Sequence, residues 1–241
     1  MLEARLAGHP IGLHPSGAVW LVETQTLLVA DAHFGKAVSF RRLGVPVPRG
    51  TTTETLDMLS ALVTETGAQH IVFLGDFLHS ARSHAASTLG ALARWRAAHA
   101  GLALTLVRGN HDDRAGDPPA ALNIEAVDEP LMLGPFALCH HPQPVAGAYV
   151  LAGHWHPCVS LGGRANDRLR LPCFWLGDDT GAEPAVAVGV LPAFGSFTGM
   201  HPIERRAGDR VFVVADEAIR ELPADMRGVT RGAVRSPTSA R

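Results

Sequence analysis

Apolar and polar positions follow two rhythms along this chain. Short apolar runs from Ala18 to Glu23 and from Leu27 to Ala30 are separated by the polar Thr24-Gln25-Thr26, which predicts two strands joined as a hairpin, the second running straight into Asp31. After Thr51 the spacing lengthens. Leu56, Leu59, Leu62 and Val63 recur at helical intervals until Gly67, and Thr51 with Glu54 has capping-box spacing, so a helix is predicted there. Ile71-Val72-Phe73-Leu74 is an unbroken apolar run of the buried-strand kind, ending at Gly75-Asp76. Ser83 to His99, rich in Ala, Leu and Arg, reads as a second helix, and Leu102 to Val107 as the next strand, closing on Arg108-Gly109-Asn110.

The order is thus strand, helix, strand, helix, strand, with a polar residue at each strand's carboxyl end. Open α/β sheets bind ligands in the crevice outside those ends. Beyond Pro118-Pro119 the pattern turns to short strands, around Leu131, Phe136 to Cys139, Tyr149 to Ala152, Leu169 to Leu176, Ala185 to Leu191 and Val211 to Val214. No linker separates the halves, so residues 1–222 are expected to form one α/β domain of two sheets. Residues 223–241 carry Arg231, Arg235 and Arg241 among Pro and Ser, with no acid after Arg227, and are expected to be a disordered tail able to make a weak polyanion contact.

Composition narrows the classes. At 241 residues, 46% apolar and 18% charged, the chain is long and apolar enough to bury a core, which excludes disorder along its whole length. A formal net charge of −2 provides no global basic field, so any nucleic-acid contact must be local. Three widely spaced cysteines, Cys139, Cys158 and Cys173, argue against a disulfide framework or a thiolate zinc site and point to a reducing, cytoplasmic compartment. The opening Met1-Leu2-Glu3-Ala4-Arg5 lacks a leader pattern, and no apolar run nears the ~18 residues of a membrane helix, so a soluble protein without a membrane partner is expected. Histidine occurs 13 times and lysine once, at Lys36, an imbalance that points towards metal.

Five polar clusters carry the chemistry: Asp31-Ala32-His33, Gly75-Asp76, Gly109-Asn110-His111-Asp112, His140-His141 and Gly153-His154-Trp155-His156. Each alone has an ordinary reading as a strand end or turn. Together they offer carboxylate and amide oxygen mixed with imidazole and no thiolate, a donor set suited to manganese, iron or zinc. About seven protein ligands with one shared carboxylate would hold two ions, the arrangement that clamps the attacking and leaving oxygens of a phosphoryl displacement.

These clusters, in this order, resemble the calcineurin-like metallophosphoesterases, whose pattern is D-x-H, G-D, G-N-H-[DE], a lone H and G-H-x-H. The resemblance narrows to the bacterial ligase-associated metallophosphoesterases through LLVADAHFGKA (Leu27 to Ala37), FRRLGVPVP (Phe40 to Pro48), FLGDFLHS (Phe73 to Ser80), VRGNHD (Val107 to Asp112), GHWHP (Gly153 to Pro157), LPCFWLG (Leu171 to Gly177) and LPAFGSFTG (Leu191 to Gly199). It covers the chain up to about Leu222. It implies a four-layer αββα sandwich of two mixed β-sheets. It also implies that Asp31, His33 and His156 hold one metal, that Asn110, His140 and His154 hold the other, and that Asp76 bridges them. A metal-bridging hydroxide would attack phosphorus, with His111 assisting the leaving group and Asp112 orienting its ring. Two divalent ions are implied, manganese first, with iron or zinc as alternatives.

The implied activity is that of a phosphodiesterase, an endonuclease on single-stranded or flapped DNA in repair, with cyclic nucleotides or another small phosphodiester as further substrates. The family's setting implies a DNA ligase, a helicase and a nuclease as partners, and homo-oligomerisation stays open. A phosphomonoesterase or small-nucleotide hydrolase on the same scaffold is the alternative, and a non-catalytic interaction module a remote one. His140 is preferred to its neighbour His141 because side chains alternate along a strand and His140 directly follows Cys139. His79, Arg82 and Arg114 are candidate substrate contacts. Arg41, Arg42 and Arg108 could equally grip phosphate or face solvent, and Phe34, Phe77, Trp155 and Phe194 could stack on a base or lie in the core.

Overall fold

The computed structural model describes residues 1–47, 50–162, 168–179, 187–195 and 198–224. Its first sheet runs in spatial order through β1 (Leu2–Leu6), β2 (His9–Leu13), β3 (Val19–Leu21), β4 (Thr26–Ala30), β5 (His70–Leu74), β6 (Ala103–Val107) and β7 (Glu125–Val127). The first four strands form an antiparallel meander, and β4 to β7 are parallel. Parallel neighbours need crossovers. These are α1 (Lys36–Arg42) with α2 (Thr51–Thr66), then a 3-10 turn at Ala81–His84 with α3 (Ala86–Ala98), then α4 (Asp112–Ala115) with a second 3-10 turn at Ala120–Leu122.

The second sheet is also mixed. It contains β8 (Leu131–Leu133), β9 (Phe136–Leu138), β10 (Tyr149–Ala152), β11 (Pro157–Gly162), β12 (Arg168–Leu176), β13 (Val188–Val190), β14 (His201–Pro202), β15 (Arg210–Ala215) and β16 (Ala218–Glu221). The order is β14-β11-β12-β13-β10-β9-β8, with β15 paired to β12 and β16 to β15. β9, β10 and β13 are parallel.

Strand periodicity sorts the apolar residues into two cores. Leu27, Val29, Ile71 and Phe73 point one way and pack against Leu56, Leu59 and Leu62 of α2 and Leu92 of α3. Their neighbours Leu28, Ala30, Val72 and Leu74 point the other way and meet Phe136, Leu138, Leu151, Phe174 and Phe212 of the second sheet. The α/β sandwich of two mixed sheets is therefore present, with an apolar inner seam. The outer face of the second sheet is closed by smaller clusters around Val150 and around Cys173 that contain no helical residue.

Several local expectations shift. The segment Ser83 to His99 is not one helix: a 3-10 turn gives way at Ala85, in extended conformation, to α3. The capping box lies at Ser80 and Ser83, not at Thr51, because left-handed Gly50 (φ 98°) is the N-cap of α2 and Thr51 already lies inside the helix. β9 stops at Leu138. The expected tail, but for Pro223 and Ala224, lies outside the described residues. No helix among the described residues is long and apolar enough to cross a membrane, and all three cysteines are buried thiols.

Candidate metal centre

The five polar clusters follow the carboxyl ends of β4, β5, β6, β9 and β10, all members of parallel pairs. Both sheets thus open the same end of the sandwich onto one site. Cross-links fix them together: the His154 amide donates to Asp31 Oδ2 at 2.9 Å, and the His140 ring lies within 3.0 Å of the Leu74 carbonyl. Asp31, His33, Asp76, His154 and His156 all have φ between 45° and 69°. Left-handed backbone at non-glycine residues costs about 1–3 kcal/mol each and persists only where the surroundings over-determine it.

Asp31, His33 and His156 bring a carboxylate oxygen and two ring nitrogens within 4.8 Å of one another, close enough to share a metal ion. His156 donates Nδ1–H to the Gly199 carbonyl at 2.9 Å, which leaves Nε2 as a lone pair. That atom lies 3.5 Å from Asp31 Oδ1, and both atoms are buried without a hydrogen-bond partner. Two buried acceptors facing each other ask for positive charge between them. The imidazole itself responds: burial works against a charge on His156, yet the neighbouring carboxylate carries its pKa above the ordinary value. His33, almost fully buried and close to Lys36 and three other imidazoles, is held far below the ordinary histidine value and is neutral, as a metal ligand must be.

A second convergence lies around His140, whose side chain is completely buried. With Nδ1–H given to the Leu74 carbonyl, its Nε2 faces Asn110 Oδ1 and His154 Nδ1, each at 3.0 Å. Burial, with His140 and His141 nearby, lowers the His154 pKa and keeps that ring neutral. Asp76 stands between the two groups: Oδ1 is 3.5 Å from His140 Nε2, and Oδ2 is 3.7 Å from His33 Nε2. The donor atoms, the orphaned pair and the His140 and His156 tautomers fixed by backbone carbonyls fit divalent metal binding here.

Glycines make this closeness available. At Gly75 (φ +77°) a Cβ would run into the His140 ring, and at Gly109 it would meet the Asp76 amide and Oδ1, each at 2.6 Å.

The other predicted residues are distributed unevenly. His111 lies at the mouth with its side chain 31% exposed, Nε2 3.9 Å from Asp76 Oδ2, and its ring held by a 2.6 Å bond from Nδ1 to the His79 carbonyl. Asp112 does not touch that ring. Its buried carboxylate accepts the amides of Phe77, Leu78 and Gly109, tying the loop after β5 to the loop after β6. Burial outweighs those bonds and pushes its pKa up to about 6. His79 lies between Phe40 and His111, stacked on both, with Nδ1 3.4 Å from His33 Nδ1. Burial, Lys36 and His111 lower its pKa to about 4.

Arg82 and Arg114 are exposed, on the 3-10 turn and on α4 respectively, two elements that pack together beside His79 and His111. Arg108 turns away to a bidentate pair with Asp117 and a contact to Asp128. Phe34, Phe77 and Phe194 are core residues, whereas Trp155 is 41% exposed.

His140 and His141 do not alternate. Both follow the end of β9, their rings 4.8 Å apart on the same side, and His141 as well as His140 belongs to a potential ligand group with His154. Sequence reasoning missed what separates them. Glu129 accepts both backbone amides and the His141 Nδ1–H at 2.7 Å, while His140 goes inward to Asn110. An acid eleven residues upstream of His140, next to Asp128 before a proline, gives no local signal.

No family model matches the chain, and no curated protein matches it. Among solved structures, a loose likeness too distant to bear on the fold is to Yfce, a phosphoesterase from E. coli (13% identity, TM-score 0.38, 83% of this chain and 99% of that one). The crystal structure of Pseudomonas putida nuclease MPE is far more similar, with 39% identity and a TM-score of 0.77 over 92% of this chain and 99% of the other. With a metal-type site in place and that identity over nearly the whole of both chains, the protein belongs to the metallophosphoesterase family and is a metal-dependent phosphoester hydrolase.

Proposed function

We propose that the protein is a two-metal phosphodiesterase that cuts single-stranded or flapped DNA. The observation that carries the reading is the Asp76 carboxylate, with one oxygen toward His140 and the other toward His33, between two convergent groups of carboxylate, amide and imidazole side chains. Asp31, His33 and His156 would hold one ion, Asn110, His140 and His154 the other, and Asp76 both. Bound there, the two ions would activate water and neutralise the phosphoryl oxygens. Oxygen and imidazole donors without thiolate favour manganese, with iron or zinc as substitutes.

The remaining work falls to the protein. The His79 carbonyl fixes the tautomer and tilt of His111, so that Nε2 faces the site and the proton it carries when charged sits where a leaving alkoxide develops. Asp112 is a positioning residue that holds the loops carrying Asp76 and Asn110 in register. His79, Arg82 and Arg114 line the side from which a phosphate backbone would approach.

Support for DNA comes from the kinship with a nuclease and from this exposed basic edge. The motif-level resemblance adds a setting: repair in the cytoplasm beside a DNA ligase, a helicase and a second nuclease. A small phosphodiester such as a cyclic nucleotide would fit the same chemistry. The deciding experiment is manganese-dependent cleavage of end-labelled single strands, of duplexes with 3′ and 5′ overhangs and of a small bis-ester, each beside His111→Ala and Asn110→Ala. Cleavage reduced by at least about a hundred-fold in both variants is the expected result. Hydrolysis of the bis-ester alone removes DNA from the proposal, preferential turnover of monoesters replaces it with a phosphomonoesterase, and full activity in both variants overturns it.

A further inference from the structure

We propose that Trp155 and Trp175 form a stacking platform for a nucleobase next to the scissile phosphate, with Arg206 at its rim for the adjoining phosphate. This deepens the nucleic-acid reading above and rests on it. Trp155 lies between His154 and His156, which face the two candidate ion positions, so its ring is anchored within one residue of both. It is one of the few large apolar side chains left exposed, at 41%. Its ring stacks on Trp175 with centroids 5.6 Å apart and planes 21° from parallel.

The platform is built to stay in place. Trp175 donates its indole N–H to Asp209 Oδ2 at 2.7 Å, and the same buried carboxylate accepts the Arg206 amide at 2.8 Å. On the other side, the His201 amide donates to the His156 carbonyl at 3.0 Å, which ties the segment leading to Arg206 onto the Gly153-to-His156 motif. Two grooves of about 410 Å³ and 380 Å³ open here, and the Trp pair and Arg206 border both. The larger also reaches Pro142, directly after His141.

The aromatic pair selects a base, and one cation is left beside it for the phosphate. Arg205 is committed to the carbonyls of Asp209, Leu222 and Pro223. Arg206 is exposed, and its guanidinium is in no ion pair among the described residues. Asp209 Oδ2 accepts from the Trp175 indole and the Arg206 amide, and with Asp178 on the larger groove and Glu204 on the smaller it leaves the Arg206 side as the one where a phosphate would meet a cation. A flat apolar surface with one available cation at its rim matches an unstacked base followed by its phosphate. Every base offers a π face, so such a surface binds single strands without reading sequence, whereas bases inside a duplex cannot reach it.

The test crosses a deletion in the protein with one in the substrate. Cleavage of an oligothymidylate and of an equally long strand of stable abasic nucleotides is followed with manganese, in wild type, Trp155→Ala and Trp155→Phe. Wild type is expected to show a KM at least five-fold lower on the base-bearing strand, with similar kcat. Trp155→Ala should bring the two KM values together by raising the first, and Trp155→Phe should keep most of the difference. In Arg206→Gln, the slope of log affinity against log salt for the oligothymidylate should fall by about 0.7, the loss of one single-strand phosphate contact.

Equal KM values in wild type, with DNA still cut, overturn the platform and leave the nuclease reading standing. An unaltered ratio in Trp155→Ala does the same. Cleavage of neither strand, with a small bis-ester still hydrolysed, ends both. A shift of Trp155→Ala from dimer to monomer in solution would identify the surface as a contact between copies of the chain and overturn the nucleotide assignment.

Discussion

Oδ1 of Asp31 and Nε2 of His156 face each other across 3.5 Å, both shielded from solvent and neither hydrogen-bonded. An unsatisfied buried polar group costs about 1–3 kcal/mol, and both residues also adopt left-handed backbone conformations. A divalent cation between them would satisfy both atoms at once. Thorough chelation should therefore lower the thermal midpoint and manganese should restore it, by about 2.7 kcal/mol at a hundred-fold excess over Kd. Calorimetry of the chelated and reloaded protein checks this, and identical melts would mean that the pair is satisfied without metal.

His111 and Asp112 are neighbours with separable roles. His111→Ala removes a partly exposed ring held by one bond to the His79 carbonyl, so the fold and the metal content should survive. kcat should fall by about 10²–10⁴, the usual contribution of a positioned proton donor. Asp112→Asn replaces a buried carboxylate that accepts three backbone amides. A side-chain amide offers a single acceptor oxygen and must bury its own N–H groups, so this variant should lose about 1–3 kcal/mol of stability along with activity. Denaturant unfolding beside kinetics separates the two; equal stability in both variants would contradict the assignment of Asp112 to the loops.

Gly75→Ala tests how tightly the second group is built. The new Cβ would enter the space of the His140 ring, and the position has φ +77°, which disfavours any side chain. His140 must move, and with it the nitrogen facing Asn110 and His154. Bound manganese should drop from two ions per chain towards one, with activity down at least about a hundred-fold, given that one removed electrostatic contact already costs about 10²–10³ in kcat. Equilibrium dialysis with metal analysis measures the first quantity. Two ions retained at wild-type affinity would show that His140 is dispensable and turn attention to His141.

The convergence of these side chains was legible because they lie in short motifs at strand ends, where chain order and spatial order coincide. Asp31, Asp76 and Asn110 follow adjacent parallel strands, so each predicted strand end delivered a residue to the same edge. Residues held by long-range partners were not legible in this way. Glu129 reaches His141, and His79 serves through its backbone carbonyl, which no side-chain motif encodes. For His140 and His141 the alternation argument does not apply, because it holds only within a strand and β9 ends two residues before His140; burial and the Glu129 contact separate the two instead. At the amino terminus, Leu2-Glu3-Ala4-Arg5-Leu6 does alternate as an edge strand should, with Glu3 and Arg5 exposed, and the pattern was there to be read.

Arginine offers the sharpest test of how substrate is gripped, because the candidates divide by their partners. Arg108 is occupied by Asp117 and Asp128, largely in solvent, so Arg108→Ala should cost at most about 1 kcal/mol in stability and leave DNA cleavage unchanged. Arg82 and Arg114 are exposed beside His79 and His111, without ion pairs among the described residues. Replacing either by Ala should raise KM for a DNA strand several-fold and leave kcat nearly unchanged, because a contact to a flanking phosphate is made equally in the ground and transition states. The same substitutions should flatten the salt dependence of binding by about 0.7 per lost contact. If Arg108→Ala instead raised KM while Arg82→Ala and Arg114→Ala did not, the strand would have to cross the opposite side of the β6 loop, and the approach past His79 would be wrong.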